Sequence, residues 1–333
     1  MKKLLVSSFA LLIGWSLSAA FMYESTMTVS GYAGSETLAG FPVLVRLAKN
    51  RPSGFDYSQC QADGKDIQFL SPDGETVYPH EVEKWDASGE SLVWVRIPEL
   101  VGTSTQFLFR FGDASVVEAP SAKSTWASSN GGFYAGVWHF GEEIDAEAAA
   151  TTAGNVNTGA ALSCDSAKHD ENLSMDAVPK KGGNGDFSMM VSMDGVVGLA
   201  RQNANDNIDG NNHNKWNGNY LSVQNYDSLS LGGTFTISGW FKQSVGKGYQ
   251  CFFARGDRNT ADTWGIDQNI NTVNAPYFWC GAQNQAAASL DFTLKWRHVV
   301  MSVNGSTVTI YIDGANKTTK TFNAAAIDNG LDL

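Results

Sequence analysis

The segment TFTISGWFK at 234–242 changes polarity at every residue, with Phe235, Ile237, Gly239 and Phe241 on one side and Thr236, Ser238, Trp240 and Lys242 on the other. A period of two belongs to a half-buried β-strand, because successive side chains leave a strand on opposite faces. Short apolar or alternating runs of this kind recur along the chain. The first third holds FPVLVRL (41–47), DIQFL (66–70), SLVWVRIP (91–98) and TQFLFRFG (105–112), separated by the turn clusters RPSG, ADGKD, SPDGE and DASGE. SPDGE and DASGE supply glycines for the left-handed positions that tight hairpins require. Further on come GVWHF (136–140), YLSV (220–223), YQCFFARG (249–256), TWGID (263–267), YFWCG (277–281), WRHVVMSV (296–303) and STVTIYIDG (306–314). The last two flank Asn304-Gly305, a strong hairpin signal. No helical periodicity competes with these strands. The expected fold is all-β, two antiparallel β-sandwich modules.

Residues 1–20, MKKLLVSSFALLIGWSLSAA, join a basic start, a short apolar stretch and a small-residue exit with Ser18 and Ala20 at the −3 and −1 positions. That is the layout of a secretory signal peptide. The expected boundaries are a signal peptide at 1–20, a first module at 21–118, a small-residue linker at 119–132 and a second module at 133–333. The protein is then exported, to the periplasm, the outer surface or the medium, and no transmembrane span is expected after cleavage. Charged residues are 17% and hydrophobic ones 43%, which excludes disorder over most of the length. Asp and Glu number 34 against 23 Lys and Arg, a net charge of −11, so nucleic acid is excluded as a partner.

Cys60, Cys164, Cys251 and Cys280 are widely spaced, with no CxxC pair and hence no zinc-ligand spacing. One bridge is permitted in an oxidising compartment, and Cys251 with Cys280 is the best candidate; free buried thiols are the other reading.

The first module resembles the bacterial family called domain of unknown function 2341, through FPVLVRL, QADGKDIQFLSPDGETVYPHEVEKWD (61–86) and the VWVRIPEL to FLFRFGD run (93–113). The resemblance implies a β-sandwich-like module of exported proteins with no assigned activity. The second module is similar to laminin-G-like jelly rolls of the concanavalin A-like lectin/glucanase type, through VWHFGE (137–142), DSAKHDENL (165–173), GNYLSVQNYDSLSLGGTFTISGWFK (218–242) and KWRHVVMSVNGSTVTIYIDG (295–314). The family pattern continues past a segment like AAIDNGLDL (325–333) with two further strands, so the module reads as truncated at its C-terminus. In related bacterial proteins this pairing of modules sits beside TolQ/ExbB-like proton-channel components of the envelope.

EIDAE at 143–147 invites comparison with glycoside hydrolases on the same fold, where Glu143 and Glu147 would act as the carboxyl pair. On a flat strand, residues i and i+4 lie ~13 Å apart, against the ~5–5.5 Å of a retaining pair. The motif also runs into AAATTAGN with no aromatic subsites, so Glu143, Asp145 and Glu147 read as loop carboxylates and catalysis is rejected. NANDNIDGNNHNKW (203–216) places Asn205, Asn207, Asp209 and Gly210 at calcium-loop positions, but Trp216 stands where a bidentate Glu belongs. Calcium therefore has no assigned ligand set, although a Ca2+ site elsewhere in the sandwich stays open. The five histidines, His80, His139, His169, His213 and His298, have no nucleophile elbow near them and read as structural.

Trp138, Trp240 and Trp296 are expected to pack in the core. Trp264, Tyr277 and Trp279 lie near Asp257, Asp262, Asp267 and Asn269, and this mixture suits a saccharide, since rings stack on sugar faces while Asp and Asn bond hydroxyls. Core aromatics beside polar turns are the alternative for the same residues. Glu81, Glu83 and Trp85 form a weaker candidate on one strand face. The expectation is a non-catalytic binding protein for carbohydrate or another cell-surface ligand. An interaction role in an envelope protein complex, and glycoside hydrolysis, are the two rivals.

Overall fold

The computed structural model describes residues 21–116, 120–127, 134 and 136–139, then 178–180, 189–192, 196–199, 220–222, 233–242, 250–255, 264–269, 275–280, 283–286 and 295–322. The chain divides into two units, 1–125 and 126–333. The leader, the EIDAE motif and the 203–216 loop lie outside the described residues.

The first unit contains β1 (Tyr23–Thr28), β2 (Thr37–Ala48), β3 (Gln68–Leu70), β4 (Val77–Tyr78), β5 (His80–Lys84), β6 (Glu90–Val101), β7 (Gln106–Phe111) and a single-turn helix α1 (Ala122–Thr125). They form two antiparallel sheets, in the orders β1-β7-β3-β4 and β2-β6-β5. Alternation explains the layering. Ser91, Val93, Val95 and Ile97 on β6 and Phe107, Phe109 and Phe111 on β7 are all buried, while the residues between them are not. These inward faces meet with Val45, Leu47, Phe55, Ile67 and Phe69 in one core. Each large side chain so buried stabilises the fold by about 1.5–3 kcal/mol. Pro42 is tolerated inside β2 because that strand is the edge of its sheet, where a missing N–H leaves no ladder bond unmade.

Two turn expectations separate on inspection. Gly74 in SPDGE is left-handed, at φ 76°, and its N–H donates to Ser71 O at 2.8 Å. Gly89 in DASGE is not left-handed; Asp86 makes that turn, its Oδ1 accepting from Ser88 N at 3.0 Å. Part of the segment expected as linker is folded. Ser121 N donates to His80 O at 2.9 Å, Arg96 Nη1 donates to Ser124 O at 3.3 Å, and Thr125 is fully buried.

The second unit contains β8 (Val178–Lys180), β9 (Met189–Ser192), β10 (Val196–Leu199), β11 (Tyr220–Ser222), β12 (Thr234–Phe241), β13 (Gln250–Arg255), β14 (Trp264–Asn269), β15 (Ala275–Cys280), β16 (Gln283–Ala286), β17 (Arg297–Asn304), β18 (Thr307–Ile312) and β19 (Ala315–Thr321). Strands β8 with β11 and β9 with β10 form two-stranded ribbons. Two four-stranded sheets, β12-β17-β18-β19 and β13-β14-β15-β16, make the body. Val299, Met301, Val303, Val308, Ile310 and Ile312 of the first sheet share a core with Trp264 and Ile266 of the second. The molecule is therefore all-β, two antiparallel sandwiches, as its alternation requires.

The β17–β18 hairpin turns at Gly305 and Ser306, with Gly305 at φ 57°, where Asn304-Gly305 predicts it. Register also disposes of the Cys251–Cys280 bridge. Cys251 pairs with Asp267 and Cys280 with Trp264, so β14 runs between them. Two strand spacings separate the cysteines by about 9.5 Å or more, beyond the ~7 Å that a disulfide spans.

Candidate functional site

Strands β14 and β15 are the two inner strands of their sheet. Trp264 retains 1% exposure and its ring lies 5.0 Å from that of Phe235; Trp279 retains 2%, with its Nε1 buried and unpartnered. A ring with both faces covered cannot stack on a sugar, so the binding role expected for these two tryptophans is withdrawn. Asp267 is the cross-strand partner of Tyr277, and Asn269 that of Ala275. Asp257 and Asp262 lie outside the described residues. The expected set thus has no exposed indole to organise it.

The reverse holds for two tryptophans expected in the core. Trp240 is 64% exposed and Trp296 43%. The cause is parity along β12. Phe235, Ile237 and Phe241 pack against the core, which sends Thr236, Ser238 and Trp240 outward. The same parity on β17 and β18 buries Val299, Met301, Val303, Val308, Ile310 and Ile312 and turns the alternate residues out.

The outward face of this sheet is therefore ordered by register. Thr234, Asn304, Thr307 and Thr321 form one row across the four strands, and Thr236, Ser302, Thr309 and Thr319 the next. Their hydroxyls touch: Thr236 Oγ1 lies 3.5 Å from Ser302 Oγ, Thr309 Oγ1 3.1 Å from Thr319 Oγ1, and Thr307 Oγ1 3.5 Å from Thr321 Oγ1. Ser238, Val300 and Tyr311 make a third row. At the end of the face, Trp240 pairs with His298, their rings 5.1 Å apart, and Lys242 Nζ sits 5.6 Å from the centre of the Trp296 ring.

Arg297 and Asp313 brace this corner. Arg297 Nη1 meets Asp313 Oδ2 at 2.7 Å, and His298 N donates to Asp313 Oδ1 at 3.0 Å. Burial pushes the Asp313 carboxyl up, but the His298 N–H and the Arg297 guanidinium outweigh it and hold the group below its ordinary value. Burial lowers the His298 imidazole, against the upward pull of the Asp313 carboxylate. Such a face can stack on rings and exchange hydrogen bonds with hydroxyls. Among the described residues no group of three or more His, Cys, Asp or Glu could hold a metal ion.

In the first unit the candidate trio does not share a face. The β5–β6 register shifts between Val82 and Lys84, making Glu83 the extra residue of a bulge. Glu83 Oε2 accepts from Trp94 Nε1 at 2.5 Å, whereas Trp85 turns onto the core beside Tyr57, ring centres 5.2 Å apart. Glu81 stays opposite Trp94.

Two family models match the chain, in the expected order. Residues 63–150 match the domain of unknown function 2341, and residues 215–332 match the laminin-G type of the concanavalin A-like lectin/glucanases superfamily. The second match spans β11 to β19 and makes this sandwich a jelly roll of that type. A crystal structure from Bacteroides ovatus ATCC 8483, of a protein provisionally described as carbohydrate binding, aligns over 92% of this chain and 66% of its own, with 8% identity and a TM-score of 0.28. The chain thus spans just under two thirds of that protein, and a score this low carries no argument. No curated protein matches the chain. Among the described residues no helix is long and apolar enough to cross a membrane.

Proposed function

We propose that the protein is an exported, non-catalytic binding protein whose concanavalin A-like unit holds carbohydrate on the outward face of the β12-β17-β18-β19 sheet. The observation that carries this reading is Trp240, an indole 64% exposed on a regular strand, with the Ser238, Val300 and Tyr311 row beside it and the Thr and Ser hydroxyl rows beyond. Leaving so large an apolar ring in water forgoes about 2 kcal/mol of burial. Stacking on the C–H face of a pyranose recovers that term, while the Ser238 and Tyr311 hydroxyls of the adjacent row, and the Thr and Ser rows beyond for a longer chain, meet the saccharide's own. A superfamily that joins lectins with glucanases supports the ligand class, and the leader-like residues 1–20 support export.

Retention on a panel of immobilised polysaccharides tests the reading. Wild-type protein should be held by at least one, and Trp240→Ala should weaken that retention about tenfold, close to 1.4 kcal/mol. Trp264→Phe, a change within the core, should leave it intact. Retention indifferent to Trp240→Ala overturns the platform. Turnover of a glucan that disappears with Glu143→Gln overturns the non-catalytic reading.

A further inference from the structure

The corner of the platform carries a charge that the stacking role does not use. Lys242 follows Trp240 by two residues, and Trp296 precedes His298 by two, so the cross-strand pair Trp240–His298 is succeeded by Lys242 over Trp296. A cation is thereby held over one exposed indole, two residues along the strand from a second. Among the described residues, seven cations are matched to carboxylates: Arg46 and Arg51 to Glu90, Lys49 to Asp56, Lys65 to Asp63, Lys84 to Asp86, Arg110 to Glu24 and Arg297 to Asp313. Among the described residues Lys242 makes no ion pair, although acidic residues outnumber basic ones by 34 to 23 in the sequence. An ammonium left unmatched in so acidic a chain, and steadied over an aromatic face, is a ready partner for an anion from outside.

Spacing sets where that anion sits. Residues two apart on a strand are about 6.7 Å apart. A pyranose ring stacked on Trp240 would direct a ring substituent along the strand toward Lys242, a span of one substituent plus one charge-assisted hydrogen bond. We infer that the saccharide held on this platform is acidic, with its carboxylate or sulfate pairing with Lys242 Nζ while its ring stacks on Trp240. This rests on the carbohydrate reading of the same face and names its substrate class. A lysine ammonium is a point charge with three rotatable donors, so it takes either anion.

The test uses the full chain and matched probes that differ only in charge. Polygalacturonate is compared with its fully methyl-esterified form, and dextran sulfate with dextran, by affinity electrophoresis at low and physiological salt. The charged member of a pair should be retained more strongly, and the preference should shrink as salt rises. Lys242→Met, which keeps the stem over Trp296, should cut charged-probe binding by up to about five-fold, the upper end for an exposed ion pair. It should leave the neutral probe unchanged. Trp240→Ala should weaken both. Lys320→Met, on β19, serves as the control for diffuse charge. Preference for dextran sulfate or for polygalacturonate alone identifies the anion as sulfate or carboxylate, and either supports the inference. Equal retention of charged and neutral probes, or a loss shared equally by Lys320→Met, overturns it while Trp240 dependence keeps the platform. Retention of no probe, or retention that ignores Trp240→Ala, overturns inference and platform together.

Discussion

Place in the sheet, not chemistry, decides which of the described indole rings reach water. Trp240 stands on the polar side of TFTISGWFK in the bare sequence, and the structure leaves it exposed. Trp264 and Trp279 stand in short runs where neighbours on both sides are apolar or small, and both are buried. Parity was readable; the assignment of Trp240 and Trp296 to the core was not a matter of parity and proved wrong. Histidine shows the same dependence on place. His80 is buried against Phe69, its Nε2 without a hydrogen-bond partner, and burial pushes its imidazole down to about 4, against a backbone hydrogen bond with Tyr78 that raises it. The unfolded chain binds a proton there near 6.5 and the folded one does not. Full stability is therefore present above about pH 6.5 and is lost as pH falls toward 4, by roughly 3 kcal/mol. Urea midpoints of wild type and His80→Leu should diverge in slope across that window, since the leucine removes this contribution and leaves the carboxylates common to both. Parallel slopes would refute the assignment.

At the scale of the element, hairpins and bulges set what the strands present. Asp313 and Gly314 join β18 to β19 with φ of 50° and 76°, the two left-handed positions of a type I′ turn. The pair Asp-Gly signals such a hairpin in sequence, and it keeps Thr309 beside Thr319 in the hydroxyl row. A Cβ at Gly314 would meet nothing within 4 Å, so Gly314→Ala tests conformation alone. It should lower stability by about 1 kcal/mol, read from urea midpoints, with polysaccharide retention unchanged once the protein is folded. The bulge at Glu83 had no such signal. HEVEK alternates well enough to promise a regular strand, and only its pairing with β6 shows an extra residue. For the same reason Glu81, Glu83 and Trp85 could be read as one face in sequence and are not one in the fold.

Taken whole, the molecule is two all-β units carrying a net charge of −11 and a sequence pI of about 4.9. Self-repulsion keeps such a chain dispersed at neutral pH and fades where the charge vanishes. Turbidity scanned across pH should peak near pH 5 and clear on either side, and a flat scan would show that surface charge does not govern its association. Alternation and turn chemistry by themselves determined that the fold class is all-β, that it forms sandwiches, and that Asn304-Gly305 closes a hairpin, because these depend on neighbours a few residues apart. That Trp264 and Trp279 are covered, where Lys242 lies, and whether Cys251 can meet Cys280 were decided only in the folded sheets. Those outcomes depend on which strands pair and in what register, and that is a property of contacts between residues distant in the chain.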